Sequence, residues 1–226
     1  MAETLAHRVS FLWSYYGIGM ASLCQGDLRK ALPQLERAVS ICHERDLQAF
    51  FARMAAALGA AYTLDRRLTE AVPLLTQTLE YCRAQGRAYI ETLCRLPLGE
   101  AHMLAGHLEE AYTCAERALD LAHEYQGRSH QAYALCLLGD IAVRRDLPEG
   151  DPAEAHYRQA LTLADELGMR PLQAHCHRGL GMLYAGTGQR EQARRALATA
   201  IEMYTLMDMT FWLPQTEAAL AQVEGR

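Results

Sequence analysis

Apolar side chains recur along this chain at three- and four-residue spacings. The stretches they form are separated by short polar or glycine-containing breaks. That spacing lays one apolar stripe along a helix, so the pattern predicts helices joined by tight turns and no strand. Glycines stand at positions 19, 59, 99, 139 and 181, a period of 40 residues three times over and then 42. The breaks "QGD", "DRR", "AGH", "RRDLPEGDP" and "GTGQ" follow these glycines in turn. Ala31, Ala71, Ala111 and Ala193 each stand twelve residues after an aligned glycine. In the fourth unit Ala153 comes two residues late, which places a two-residue insertion in "DLPEGDP", read as a turn.

Each unit therefore reads as two antiparallel helices that approach closely at small residues, with Tyr62, Tyr184, Leu35, Leu75 and Leu197 filling the space beside them. One such pair cannot bury both of its faces, whereas stacked pairs can. The expected fold is all-α, a right-handed α-solenoid of five antiparallel helix pairs forming one domain over 1–226. Its repeats lie near 5–46, 47–86, 87–127, 128–168 and 169–208. A capping helix over 210–223 is expected to cover the last pair with Phe211, Trp212 and Leu213, with Thr210 as its cap and Pro214 in its first turn. Pro33 and Pro73 occupy equivalent places early in second helices, and Pro97 falls mid-helix, where a kink is expected.

The segments "LGAAYTLDRRLTEAVPLLTQTL" and "LGMLYAGTGQREQARRALATAI" resemble tetratricopeptide repeats, matching their L-G-x-x-Y…A order. Ser22, His102 and Ala142 replace the tyrosine in the other units, and the period exceeds the usual one of about 34 residues. The segments "AFFARMAAALGAAY" and "AEAHYRQALTLA", with 166–220, are similar to the C-terminal repeat region of large bacterial proteins that join a cyclase-like domain to an ATPase. That resemblance implies a sensory or scaffold module of a longer signalling protein and carries no catalytic motif.

Composition narrows the partners. The net charge of −5 offers no surplus of Lys and Arg for phosphates or an anionic membrane, so neither nucleic acid nor a membrane is an expected partner. The most apolar run is interrupted by Arg53 and is too short to span a bilayer. Seven cysteines without a C-x-x-C pair fit a reducing cytoplasm, and the N-terminal stretch lacks the features of a secretion signal.

Several fragments imitate chemical motifs. The run from Gly181 to Thr187 lacks a phosphate-binding lysine, and "GIGMAS" and "GLGMLY" place Ser22 and Tyr184 where a dinucleotide fingerprint needs glycine. His175 and His177 diverge on a helix, and His43-Glu44 and His123-Glu124 are followed by Leu47 and Gly127 where a second zinc-binding histidine would stand. No cofactor, metal site or catalytic site is expected, and the chain is not read as an enzyme.

In a solenoid of helix pairs the first helices line the concave side. The stripe left free of pair packing lies at −6, −3 and +1 from each aligned glycine. It gives candidate groove residues Trp13, Tyr16, Met20, Arg53, Leu96, Glu100, Tyr133, Asp140, His175 and Arg178, with Ala56, Ala60, Leu93, Cys136 and Met182 between them. Aromatic, Met and Arg side chains suit a protein or peptide partner. The Lys, Arg and Asn that relatives use at the −3 and +1 offsets to clamp a terminal carboxylate are missing from those offsets in the first four units. The leading expectation is a protein-interaction scaffold binding a peptide or partner helix. The alternative is a small-molecule sensor whose pocket is supplied by Arg53, Glu100, Tyr133 and Asp140 if the superhelix closes. Homo-oligomers are left open.

Overall fold

The computed structural model describes residues 2–44, 47–145 and 152–225. Among them are eleven α-helices and no strand: α1 Ala2–Gln25, α2 Leu28–Glu44, α3 Gln48–Leu64, α4 Leu68–Ala84, α5 Ala88–Ala105, α6 Leu108–Glu124, α7 Arg128–Arg144, α8 Pro152–Glu166, α9 Arg170–Gly186, α10 Arg190–Leu206 and α11 Leu213–Glu224. The proposed insertion lies at 146–151, outside the described residues. Consecutive helices pair, each pair stacks on the next, and α11 lies on α10 and α9.

The turns share one bonding scheme. The amide of Arg67 donates to the Tyr62 carbonyl (2.9 Å), that of His107 to His102 (2.9 Å) and that of Gln189 to Tyr184 (2.8 Å). Each closes the last helical turn from five residues away and reverses the chain at once. Short, equivalent turns fix where the second helix of each pair begins.

The aligned glycines sit where the helices of a pair cross. A Cβ at Gly59 would lie 2.5 Å from Leu75, at Gly19 2.7 Å from Leu35 and at Gly181 2.6 Å from Leu197. In the fourth pair the facing residue is the Tyr157 ring, 2.8 Å from the same point on Gly139, and in the third it is Cys114 with the Ala111 carbonyl. Tyr62 and Tyr184 reach across to the preceding repeat, donating hydrogen bonds to Glu36 (3.1 Å) and Glu154 (2.9 Å). Stacking between repeats is apolar and tight: Leu58, Leu98, Leu138 and Leu180, each one residue before an aligned glycine, are only 5%, 4%, 3% and 6% exposed.

Pro33 and Pro73 are each the sixth residue of their helices, one turn deeper than a cost-free position. The carbonyls they leave without an amide belong to exposed residues, Arg29 and Thr69, where water can reach them. α5 continues through the buried Pro97 as one helix of 18 residues.

The C-terminal cap departs from expectation at its start. α11 begins at Leu213, its N-cap position is Trp212, and no side chain caps it, so Thr210 does not serve as the cap. The three residues before α11 are used instead to turn the chain. Met209 is buried at 1% exposure, and the Trp212 ring stacks on Tyr204 at 5.9 Å and 19°.

Phe211 carries the larger consequence. It packs against Gly26, in the turn between α1 and α2, where a Cβ would collide with the Phe211 side chain and lie 3.1 Å from Trp212. Gly26 also has φ +76°, so the position requires glycine twice over. The superhelix thus returns upon its own first turn.

Two stability outcomes follow. The ring of Tyr157 is wedged against Gly179, where an added Cβ would overlap it, whereas Gly186 faces open space. Urea unfolding should show Gly179→Ala losing about 2 kcal/mol by overpacking, and Gly186→Ala unchanged or gaining up to about 0.5–1 kcal/mol from helix propensity. Equal effects would contradict this packing. Deleting 210–226 should lower the melting temperature markedly and promote aggregation, because it uncovers Tyr204 and the α9–α10 face. An unchanged melting temperature would refute the capping role.

Candidate functional site

The concave face is built from the first helix of each pair, and the expected groove residues gather there in two groups. The first lies where α1, α3 and α5 run side by side. Trp13 meets Tyr16 edge-on at 5.5 Å and Phe50 at 5.9 Å. The Arg53 guanidinium lies 5.9 Å from the Trp13 ring and 4.9 Å from that of Tyr89, and its Nη1 donates to the Tyr89 hydroxyl at 3.1 Å. Tyr89 continues the row to His130 at 5.2 Å and Tyr125 at 5.8 Å. This is a cation held by rings and hydroxyls rather than by a carboxylate, which leaves its charge available to a ligand.

The second group spans α5, α7 and α9. Asp140 accepts a hydrogen bond from the Tyr157 hydroxyl at 2.6 Å and feels the Arg178 charge. His175 Nδ1 lies 2.7 Å from the Tyr204 hydroxyl, and its ring is 4.8 Å from Trp212. Arg178 is half-buried, and its Nε has no hydrogen-bond partner among the described residues. Tyr133 remains 41% exposed on α7. The return of Phe211 onto Gly26 closes the superhelix around this face.

Electrostatics reflect this enclosure. Burial pushes the Glu100 carboxyl up to about 7, with the Asp140 charge adding to it. The Glu100 side chain is nonetheless exposed, so the water around it is that inside the superhelix. Burial also raises Asp140, overriding Arg178 and Tyr157, and raises the Tyr133 hydroxyl to about 12. His175 falls to about 3, through burial first and Arg178 second, and is neutral at physiological pH.

Other expected groove residues are spent largely on packing. Met20 and Tyr16 pack into the core around Leu35 and Leu58, and Leu96 packs against Met103 and Leu137. Ala56 and Cys136 are buried. Sequence reasoning missed Phe50, Tyr89 and His130, which lie nine or ten residues before the aligned glycines. Continuing the −6 stripe one more turn toward each helix N-terminus would have found them. Tyr204, Tyr157 and Trp212, from second helices and the C-terminal turn, have no such signal.

The arrangement offers recognition chemistry: aromatic faces, a ring-bound cation at Arg53, and two carboxyls, the exposed Glu100 and the half-buried Asp140, both shifted toward the protonated form. Cys136 hydrogen-bonds Cys176 and is raised in pKa by that bond and by burial, the reverse of what a nucleophile needs. Among the described residues no three His, Cys, Asp or Glu side chains converge as metal ligands, and no helix is long and apolar enough to cross a membrane.

The Glu100 shift sets a pH dependence. In the unfolded chain its carboxyl titrates near 4.5, and in the folded chain near 7. Its stabilising contribution is complete below the lower value and is lost as pH rises through the higher one. Glu100→Gln should therefore melt at a higher temperature than the parent at pH 8 and at the same temperature at pH 4. A difference that does not vary with pH would contradict the enclosure of Glu100.

No family model matches the chain. It is 27% identical over 161 residues to the 43 kDa receptor-associated protein of the synapse from Tetronarce californica, covering 70% of this chain and 39% of that protein. It is 32% identical over 125 residues to the regulatory protein AfsR of Streptomyces griseus, covering 55% of this chain and 13% of that protein. The chain thus spans well under half the length of either relative. Among solved structures, BtubC (BKLC) of P. vanneervenii superposes with a TM-score of 0.59 at 18% identity, covering 92% of both chains. A Podosopora anserina kinesin light chain with nearly identical TPR-like repeats superposes at 0.53 and 18% identity, covering 95% of this chain and 97% of that one. Eleven helices in stacked pairs among the described residues, with these neighbours, show that the chain has the fold of the tetratricopeptide-like repeat proteins.

Proposed function

We propose that this chain is a non-catalytic recognition module within a larger signalling protein of a reducing, cytoplasmic setting, and that its concave face binds a short extended peptide. The observation that carries this reading is the exposure of large concave-face side chains: Trp13 at 40%, Tyr133 at 41% and Met182 at 48%, each on a helix otherwise packed into the solenoid. Rigid amphipathic aromatic rings of this kind are typical binding anchors. An extended strand suits the interior better than a helix about 10–12 Å across, because the seat of Phe211 on Gly26 closes the superhelix upon its own first turn. The length and regulatory description of AfsR support the place of this chain in a longer signalling polypeptide.

One observation favours a second reading. The seat of Phe211 on Gly26 encloses the interior on the side where Glu100, Asp140 and Arg178 lie, and a shielded chamber with a few polar groups is the usual form of a small-molecule site. The module would then be a metabolite sensor, with domain 1–226 as its receptor.

Selection of displayed short peptides on the immobilised chain separates the two. Recovered peptides should bind wild type, and Tyr133→Ala should weaken them more than tenfold while leaving the melting temperature of this exposed-site variant unchanged. Failure to recover any peptide, together with a metabolite that raises the melting temperature of wild type, would replace the peptide reading with the sensor reading. Binding that ignores Tyr133→Ala would overturn the concave site itself.

A further inference from the structure

Elsewhere in this chain an arginine and a tyrosine jointly hold a glutamate. Glu154 accepts from the Arg158 guanidinium at 2.8 Å and from the Tyr184 hydroxyl at 2.9 Å, while that guanidinium also donates to the hydroxyl at 3.2 Å. Glu36 accepts from the Tyr62 hydroxyl at 3.1 Å and pairs at 3.7 Å with Arg67, whose guanidinium lies over the Tyr62 ring at 4.2 Å. In each trio the carboxylate is the common acceptor of a cation and a phenol.

Arg53 and Tyr89 form the first two members of such a trio on the concave face. Arg53 Nη1 donates to the Tyr89 hydroxyl at 3.1 Å, and the guanidinium lies 4.9 Å from the Tyr89 ring. The third member is missing: among the described residues no carboxylate pairs with Arg53. Glu91, two residues beyond Tyr89, is buried and held by Arg95 at 2.7 Å. A phenol oxygen that accepts from Arg53 still has its own proton to give, so the pair presents N–H and O–H donors together. Tyr89 is 38% exposed, which leaves the pair open to a ligand. The surroundings favour an anion, because α3 and α7 have neither an acidic residue in the first turn nor a side-chain cap.

We propose that Arg53 and Tyr89 receive an aspartate or glutamate side chain of the bound peptide, completing the trio that Glu154 and Glu36 complete within the chain. This rests on the reading of the concave face as a peptide site and adds the residue it selects. The aromatic row runs past Arg53 in both directions, to Trp13 and Tyr16 on α1 and to Tyr89 and His130 on α5 and α7. A peptide lying along it passes Arg53 rather than ending there, so the carboxylate comes from a side chain and not from the C-terminus. One guanidinium matches the single charge of a carboxylate better than the nearly double charge of a phosphate.

The test is selection on the immobilised 226-residue chain from a random peptide library joined to its carrier through the peptide C-terminus, so that side chains supply the carboxylates. Selected peptides should share an aspartate or glutamate. A synthetic peptide of that set, amidated at its C-terminus, should bind more than tenfold tighter than its counterpart with Asn or Gln at the shared position. Arg53→Gln should bind the two alike and keep the wild-type circular dichroism. Tyr89→Phe, which keeps the ring and loses the hydroxyl, should cut the discrimination about fivefold, and it carries the test if Arg53→Gln does not fold. Selected peptides that depend on Tyr133 yet share no acid overturn this inference and leave the concave peptide site standing. A preference for the acid that persists in Arg53→Gln assigns it to another cation and overturns the inference, as does full discrimination in Tyr89→Phe. Recovery of no peptide removes the inference together with the reading it rests on.

Discussion

The distance of closest approach between the two helices of a pair governs this molecule. At Gly59 no side chain can be added without meeting Leu75 at 2.5 Å, and the same crossing recurs at Gly19 with Leu35 and at Gly181 with Leu197. Packed interiors do not yield to such intrusions cheaply. Because the pairs cross at the same point, and the first, second, third and fifth turn with the same five-residue bond, each presents a similar outer face to the next pair. Stacking then becomes repetitive, and the small rotation between neighbours accumulates into a curved array with first helices inside. The concave site and the return of Phe211 to Gly26 are consequences of that repetition.

Curvature gives the interior its chemistry. Glu100 and Asp140 would be ordinary surface carboxylates on an isolated helix, yet the surrounding first helices push both toward the protonated form. His175 is driven the opposite way by the same enclosure. Arg53 keeps its charge by lying against Trp13 and Tyr89. Ligand recognition by such a face depends on a surface held in shape by the stacked pairs behind it.

Much of this was legible in the residues themselves. The glycine period, the alanines that follow it and the fillers Leu35, Leu75 and Leu197 specify the pairs, because each acts through a contact within about twenty residues. Thr210 misled because a good capping residue stands where the chain instead has to turn sharply, placing Met209 in the core and Trp212 on Tyr204. Within the concave stripe, sequence offsets placed Trp13, Arg53 and Tyr133 on the right face but did not separate them from Met20 and Leu96, whose burial depends on the neighbouring pair. The contact of Phe211 with Gly26 was illegible. It joins residues at opposite ends of the chain, and it exists only because of a superhelical pitch that no local pattern encodes.

The enclosed interior depends on that contact. Amide hydrogen exchange of Phe211→Ala against wild type reads it directly. Loss of the contact should speed exchange in two places at once, the 207–212 turn and the distant turn at 26–30, with α5 and α7 unaffected. Faster exchange at 207–212 alone, with the 26–30 turn as protected as in wild type, would show that the superhelix does not close on itself and would contradict the enclosed site.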